Sequence, residues 1–181
     1  MKLKKLNAIF GMLTALCLLV HAGITTYYYA IQTEPPRLAR IPGRAAAFFL
    51  IFHACYGLYK LFFVNKRLSV PYPRINLRVI LQRVSAFTLL ILLWPHIMTF
   101  SLSVSLAGTG WIWALCAVEI LFNLALWLHI TLSLSPSLLS LGLISSMEAR
   151  RRVDIATGVI LGLVLGYSTF VIISTQLRLF G

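Results

Sequence analysis

The sequence predicts an all-α integral membrane protein, a bundle of five transmembrane helices in a single domain covering residues 1–181. Composition is the first reason: 60% of the 181 residues are apolar and 11% are charged, whereas soluble domains have about 45–50% apolar and about 25% charged residues. The second reason is that apolar runs recur five times, each with the length of about 20 residues that a span needs. Backbone groups in lipid must be satisfied internally, so these runs form helices.

The five predicted helices follow one another, and the first two of the four loops between them contain proline, at Pro35–Pro36 and Pro71–Pro73. A basic start and an apolar run could also be a signal peptide. Here, however, the run continues through His21 to the interfacial tyrosines Tyr27–Tyr29, which favours a retained helix. The fourth apolar run is too long for one straight span, and Pro136 is expected to bend it or to end its straight part. The predicted helices are 6–29, 45–64, 77–102, 111–144 and 155–175.

The basic residues predict the orientation in the membrane. Sixteen Lys and Arg against four acids give a net charge of +12. Because they lie between apolar runs, they indicate anionic lipid or an acidic partner, and we expect no nucleic-acid partner. Twelve of the sixteen fall on the side of the N-terminus, mostly in the loop Lys66–Arg78 and the cluster Arg150–Arg152. The positive-inside rule then predicts an inner or cytoplasmic membrane with the N-terminus in the cytoplasm and the C-terminus outside.

Each of the first four predicted helices carries one histidine: His21, His53, His96 and His129. A titratable side chain at membrane depth is costly and usually functional. Imidazole is a common axial ligand of haem, and helical bundles hold such cofactors in their cores. Four histidines could supply two bis-histidine haems, two could supply one, and a single histidine can also simply pack. Helical periodicity and counted depth do not decide which histidines pair.

The sequence around each histidine carries a family resemblance. The relevant stretches are Gly11 followed by His21, the octapeptide Phe52–Tyr59, Leu81–Ser85 followed by His96, and His129 continuing to Ser140–Gly142. Together they resemble the diheme cytochrome b anchor subunits of succinate:quinone oxidoreductases, the family of succinate dehydrogenases and fumarate reductases. The resemblance covers most of the chain.

This resemblance implies a haem-binding four-helix core plus a fifth helix. It implies two haem b groups, one held by His21 and His96 nearer the outer face and one held by His53 and His129 nearer the catalytic subunits. Those partners would be a flavoprotein subunit with FAD and an iron–sulphur subunit on the cytoplasmic face. The chain would exchange electrons between a quinone, expected to be menaquinone, and the iron–sulphur subunit, while the dicarboxylate chemistry belongs to the partners.

Four further residues are candidates within that interpretation. Glu119 is the acid deep inside a span and is expected to exchange protons with the quinone, unless it is a protonated structural residue bonded to Asn123. Arg83 and Lys60, near the inner helix ends, are expected to pair with haem propionates, unless they reach toward lipid phosphate instead. Ser85 shares a helix face with His96 and completes the predicted cofactor-binding set.

Two other interpretations stay open. The chain could be a haem-containing electron-transfer anchor of a different membrane dehydrogenase, or a non-enzymatic helical membrane protein whose histidines only pack. The three cysteines lie inside apolar runs without a CxxC pair, so no disulfide framework, zinc knuckle or c-type haem attachment is predicted.

Overall fold

Long α-helices form the protein. The computed structural model describes residues 2–33, 35–64 and 76–181. Within them, no β-strand occurs, and five helices are long and apolar enough to cross a membrane. The predicted all-α, multi-pass membrane fold is therefore confirmed. The helices are α1 (Lys2–Ala30), α2 (Arg40–Tyr59), α3 (Leu77–Ser105), α4 (Trp111–Leu141) and α5 (Met147–Phe180), with a 3-10 turn (Arg37–Ala39) before α2 and a π-helical turn (Lys60–Val64) after it.

Helix α5 begins well before the predicted start at residue 155. The hydroxyl of Ser146 accepts a hydrogen bond from the backbone N–H of Ala149 at 3.1 Å and thereby caps the first turn. The segment that follows includes the charged residues Arg150–Arg152 and Asp154. They are not part of an apolar run, but they are helical and belong to α5. The first turns of α5 are therefore a polar extension of the apolar span.

The ends of α2 and α4 also differ from the predicted ones. Helix α4 ends at Leu141, before the predicted residue 144, because Gly142 takes a φ of 81° and so provides a left-handed C-cap. It continues through Pro136, so the proline does not end the helix. Helix α2 begins at Arg40, ahead of the predicted residue 45.

The bundle buries polar side chains and exposes apolar ones. Among its most deeply buried residues are Glu119, Ser85, Ser103 and Ser135. Large apolar side chains, by contrast, cover the outside, and Phe170 is 67% exposed. In lipid, an apolar exterior costs nothing, whereas polar groups need partners inside the protein. This distribution is the one expected of a membrane-embedded bundle.

Helix α4 is central to the packing. Phe122, Leu126 and Ile130 on α4 meet Leu161 and Leu165 on α5, and leucines of α1 and α3 cover this cluster. Helix α1 packs against α2, α4 and α5. Among the described residues, no Cα of α2 lies within 8 Å of a Cα of α3, α4 or α5. Of the other four long helices in the described part of the chain, only α1 therefore packs closely against the backbone of α2.

The two ends of the bundle differ in chemistry. Side-chain contacts show that consecutive helices run antiparallel, so the starts of α1, α3 and α5 lie at the same end as the ends of α2 and α4. We call this the basic end; its described Lys and Arg residues include Lys4, Lys5, Lys60, Arg83 and Arg150–Arg152. The opposite, aromatic end carries the exposed side chains of Tyr27, Trp111 and Trp113, which is typical of a membrane–water interface.

Arg78, at the start of α3, connects three helices near the basic end. Its guanidinium donates to both carboxylate oxygens of Asp154 on α5, at 2.6 and 2.9 Å, and to the backbone oxygen of Leu132 on α4 at 2.8 Å. That oxygen is the one left without an intrahelical donor by Pro136, which has no N–H. Ser135 donates to Asp154 at 2.6 Å. Arg78 thus satisfies the carbonyl that the proline releases.

The variant Asp154→Asn tests this connection. Removing the charge leaves the half-buried guanidinium without its counter-ion. We therefore expect the free energy of unfolding to fall by about 1.5–3 kcal/mol, the usual value for hydrogen bonds to charged groups. The measurement is thermal or denaturant unfolding of the purified protein in detergent.

Glu148→Gln is the matched control, because it removes an acid from the exposed Glu148–Arg152 pair in the same helix. Exposed pairs of this spacing contribute about 0.3–0.5 kcal/mol, so this variant should unfold almost as the parent does. Equal losses in both variants would contradict the role given to Arg78.

Candidate cofactor site

His53 of α2 and His129 of α4 face each other near the basic end. Their ring centroids are 6.3 Å apart, with an angle of 77° between the ring planes. Nδ1 of His53 lies 3.2 Å from the backbone oxygen of Asn7 in α1, and Nδ1 of His129 lies 3.3 Å from that of Gln82 in α3. The Ser85 hydroxyl is also 3.3 Å from Nδ1 of His129. Because a carbonyl only accepts, Nδ1 carries the proton in both rings and Nε2 keeps its lone pair.

The distance between these two rings suits a shared metal atom. A metal–imidazole bond is about 2.0 Å and the ring centre lies about 1.15 Å behind the nitrogen, so two axial rings on one atom are about 6.3 Å apart. A metal-bound histidine almost always donates its other ring N–H to a carbonyl or carboxylate, as His53 and His129 do here. The centroid separation of 6.3 Å and the engaged Nδ1 atoms are thus compatible with a bis-histidine ligand set.

His21 of α1 and His96 of α3 are the other two histidines, and both lie nearer the aromatic end. We call them the second pair because they occupy the same level of the bundle. Nδ1 of His21 lies 3.4 Å from the backbone oxygen of Ala39, just before α2, and Nδ1 of His96 lies 3.0 and 3.1 Å from the two carboxylate oxygens of Glu119. The ring of His96 stacks on Phe122, with centroids 4.2 Å apart and planes 5° from parallel. In all four histidines, Nδ1 is thus engaged by a neighbouring helix or turn.

Two glycines make room for histidine rings. A Cβ on Gly11 of α1 would lie 2.9 Å from the ring of His53, and a Cβ on Gly43 of α2 would lie 3.2 Å from the ring of His21. Each of these two helices therefore presents bare backbone to the histidine of the other. The sequence carries a signal for this arrangement: in both helices, a glycine precedes the histidine by ten residues.

The two pairs occupy two levels of the bundle, and every helix gives the same separation between them. A residue that contacts one pair is followed, ten or eleven positions later, by the histidine of the other pair. At about 1.5 Å per residue, this spacing is roughly 15 Å along the bundle axis. The corresponding positions are Gly11 and His21 in α1, Gly43 and His53 in α2, Ser85 and His96 in α3, and Glu119 and His129 in α4.

Glu119 is 1% exposed and contacts His96 directly. The hydroxyl of Thr99 donates to it as well, at 2.6 Å. The partners of this carboxylate are therefore His96 and Thr99 on α3. The alternative partner, Asn123 one turn along α4, makes no hydrogen bond to it through its amide nitrogen. Its predicted exchange of protons with a quinone stays a prediction.

The remaining predicted residues lie toward the basic end. Ser85 is 2% exposed and contacts His129, not His96. Arg83 is half-buried on α3, and Lys60 is exposed where α2 passes into the π-helical turn. Their predicted pairing with haem propionates stays a prediction. Of the basic residues in the loop Lys66–Arg78, Lys66, Arg67 and Arg74 lie outside the described residues.

The donor set fits haem. In the part of the chain that the structure describes, no group of three or more His, Cys, Asp or Glu side chains could hold a bare metal ion. A haem iron, however, receives its equatorial ligands from the porphyrin and needs only axial ligands from the protein. One histidine pair at each level could supply these, because Nδ1 of every ring is engaged and Nε2 is left for a ligand bond. Gly11 and Gly43 leave room for the rings of His53 and His21.

These observations define a multi-pass helical membrane protein with two intramembrane histidine pairs. Comparisons of the chain with protein-family models, with curated proteins and with solved structures found no match. Any more specific function is therefore inferred from the histidine geometry and from the sequence resemblance.

Alanine at Gly11 tests the room given to His53. The added Cβ would meet the ring at 2.9 Å, so the ring must move while the helix itself stays intact. We expect Gly11→Ala to reduce the haem content of the purified protein from two per chain toward one, as measured by pyridine haemochrome absorbance per protein.

Gly57→Ala is the matched control on α2, since a Cβ there would meet nothing within 4 Å. It should leave the haem content at the parent value. If Gly11→Ala also keeps the parent value, the ring of His53 has no need of the bare backbone at Gly11.

Proposed function

We propose that the chain is the membrane-anchor cytochrome b subunit of a succinate dehydrogenase or fumarate reductase complex. In this role it transfers electrons between a quinone and an iron–sulphur subunit through two haem b groups, and it has no dicarboxylate chemistry of its own. The observation that carries the proposal is the arrangement of four histidines as two pairs, at two levels, each ring with Nδ1 engaged and Nε2 able to bind iron.

The chain's own residues would hold each haem in a fixed orientation. His53 and His129 are the axial ligands proposed at the level near the basic end, and His21 and His96 those proposed near the aromatic end. Bound haem supplies reversible one-electron chemistry, which the protein tunes through ligand, hydrogen bonding and burial. The acceptors of the four Nδ1–H groups select one tautomer for each ring, so the ligands are oriented before haem binds.

The basic end is the proposed docking face for the flavoprotein subunit with FAD and the iron–sulphur subunit. Arg151 and Arg152 are exposed there at the start of α5, with Arg150 half-buried beside them. An iron–sulphur partner must approach the level of His53 and His129, which is the one nearer this end. By the positive-inside rule, the basic end faces the cytoplasm of a cell with the chain in its inner or cytoplasmic membrane, and anionic lipid headgroups share these charges.

The quinone, expected to be menaquinone, completes the proposed electron path. Glu119 lies at the level of His21 and His96, nearer the aromatic end, and this level is where the quinone is proposed to react. An anchor of another membrane dehydrogenase would share the histidine pairs and differ in its soluble partners. A protein whose histidines only pack would bind no haem at all.

Histidine variants test the haem assignment and the pairing together. Purified parent protein should show a low-spin bis-histidine reduced-minus-oxidised spectrum with two haems per chain. His53→Ala and His129→Ala should each affect the same haem, so the double variant should resemble either single one. His21→Ala combined with His53→Ala should lose both bis-histidine haems, because the two residues serve different levels.

Gln176→Leu is the control, since Gln176 is a buried polar residue of α5, 6% exposed, and its described contact is with Cys116. It should keep both haems. Parent protein without haem would refute the proposed function, and two intact haems in all four single histidine variants would refute the ligand assignment.

Charge reversal tests the docking face. Arg150, Arg151 and Arg152 changed together to Glu should weaken co-purification of an FAD-containing and an iron–sulphur subunit, increasingly at higher salt, because surface charges mainly set association rate and orientation. Arg37, Arg40 and Arg44 at the aromatic end provide a matched triple reversal that should leave co-purification unchanged. Both variants are compared only with haem content intact, and full recovery of the complex at every salt concentration would exclude the Arg150–Arg152 cluster as the dock.

A further inference from the structure

Glu119 is chemically different from the acceptors of the other three histidines. His21, His53 and His129 have their Nδ1 atoms against neutral backbone oxygens, whereas Nδ1 of His96 faces a carboxylate. A hydrogen bond with an ionised acceptor is about twice as strong as one between neutral groups. The four imidazoles are therefore not equivalent, and His96 is the exception.

The surroundings of Glu119 strengthen this interaction. The residue is 1% exposed, so water does not screen it, and electrostatic interactions are stronger in such low-dielectric surroundings. Both carboxylate oxygens lie within 3.1 Å of Nδ1 of His96, and Thr99 donates to one of them. Phe122 stacks on the imidazole face at 4.2 Å. The ring is thus fixed both in its plane and along its normal.

We propose that Glu119 is a positioning residue that makes His96 a stronger electron donor and lowers the reduction potential of the haem that His96 holds. A carboxylate that accepts the Nδ1–H bond raises the basicity of a metal-bound imidazole. A more basic axial ligand stabilises the oxidised iron, and hydrogen bonding around the ligands is one of the factors that set haem potentials. This inference rests on the proposed function, because it concerns one of the two proposed haems.

The geometry favours this role over direct proton exchange with a quinone. His96 and Thr99 of α3 already contact both oxygens of Glu119. The residue is 1% exposed, so a quinone oxygen would have to enter the packed interface of α3 and α4 to reach the carboxylate. A positioning role needs only the contacts already present. In that role Glu119 changes the reduction potential of the proposed haem and does not itself contact the quinone.

Glu119→Gln in the haem-loaded protein is the test, because it keeps the shape of the side chain and removes its charge. Optical redox titration resolves the two midpoint potentials, and electron paramagnetic resonance of the oxidised protein reports the two low-spin signals. We expect one potential to shift upward and the other to stay, with one low-spin signal shifted and both haems retained. Glu148→Gln, which removes the same charge from an exposed site, should move neither potential.

Two unmoved potentials in Glu119→Gln with both haems bound would overturn the inference while leaving the proposed function intact. Slower quinone turnover in that case would support the proton-exchange prediction for Glu119 instead. Parent protein without haem would overturn the proposed function and the inference with it.

If Glu119→Gln loses a haem, Glu119→Asp decides, because it retains the charge. Both haems, with the affected potential close to the parent value, would support the inference. Loss of the same haem from Glu119→Asp would overturn it, since the carboxylate would then serve only to fill space.

Discussion

A hydrogen-bond donor buried among lipid-facing helices must find its acceptor inside the protein, and this requirement organises the bundle. The histidines satisfy it in two reciprocal sets. His53 on α2 reaches the backbone of α1, and His21 on α1 reaches the turn that leads into α2. His129 on α4 reaches α3, and His96 on α3 reaches Glu119 on α4. The Nδ1 contacts therefore join the helices within two hairpins, α1–α2 and α3–α4. Each histidine pair, by contrast, has one member from each hairpin.

The sequence predicts the elements of this arrangement better than the contacts between them. Apolar runs of spanning length define five helices because the hydrocarbon thickness fixes their length, and one histidine in each of the first four is visible by inspection. The partners are not visible, because they depend on the register of neighbouring helices. The sequence places Ser85 on the same helix face as His96, three turns away, but it does not show that Ser85 lies against His129 of the antiparallel neighbour. Glu119 likewise meets His96 and Thr99 across the interface.

Hydropathy also fails where a helix continues through polar residues. Asp154 lies outside the predicted fifth span, and Arg78 is one of the charges from which the sequence predicts the orientation. In the structure, they form an ion pair at 2.6 Å that also reaches Leu132 at the Pro136 interruption. The pattern within one helix cannot predict this ion pair, because its parts come from three helices. Helix α3 supplies the donor, α4 the released carbonyl and α5 the carboxylate.

The pairing of His53 with His129 depends on what stands behind each ring. Asn7 and Gly11 lie on one face of α1, so that face supplies both the acceptor for Nδ1 of His53 and the bare backbone against which the ring rests. Gln82 holds His129 from the side of α3. Each ring is thus held by a helix other than its own, α1 for His53 and α3 for His129, and the ring centroids are 6.3 Å apart. Among the described residues, no Cα of α2 lies within 8 Å of a Cα of α4. Two rings supported in this way are already oriented, so little conformational entropy would be lost on binding the proposed haem.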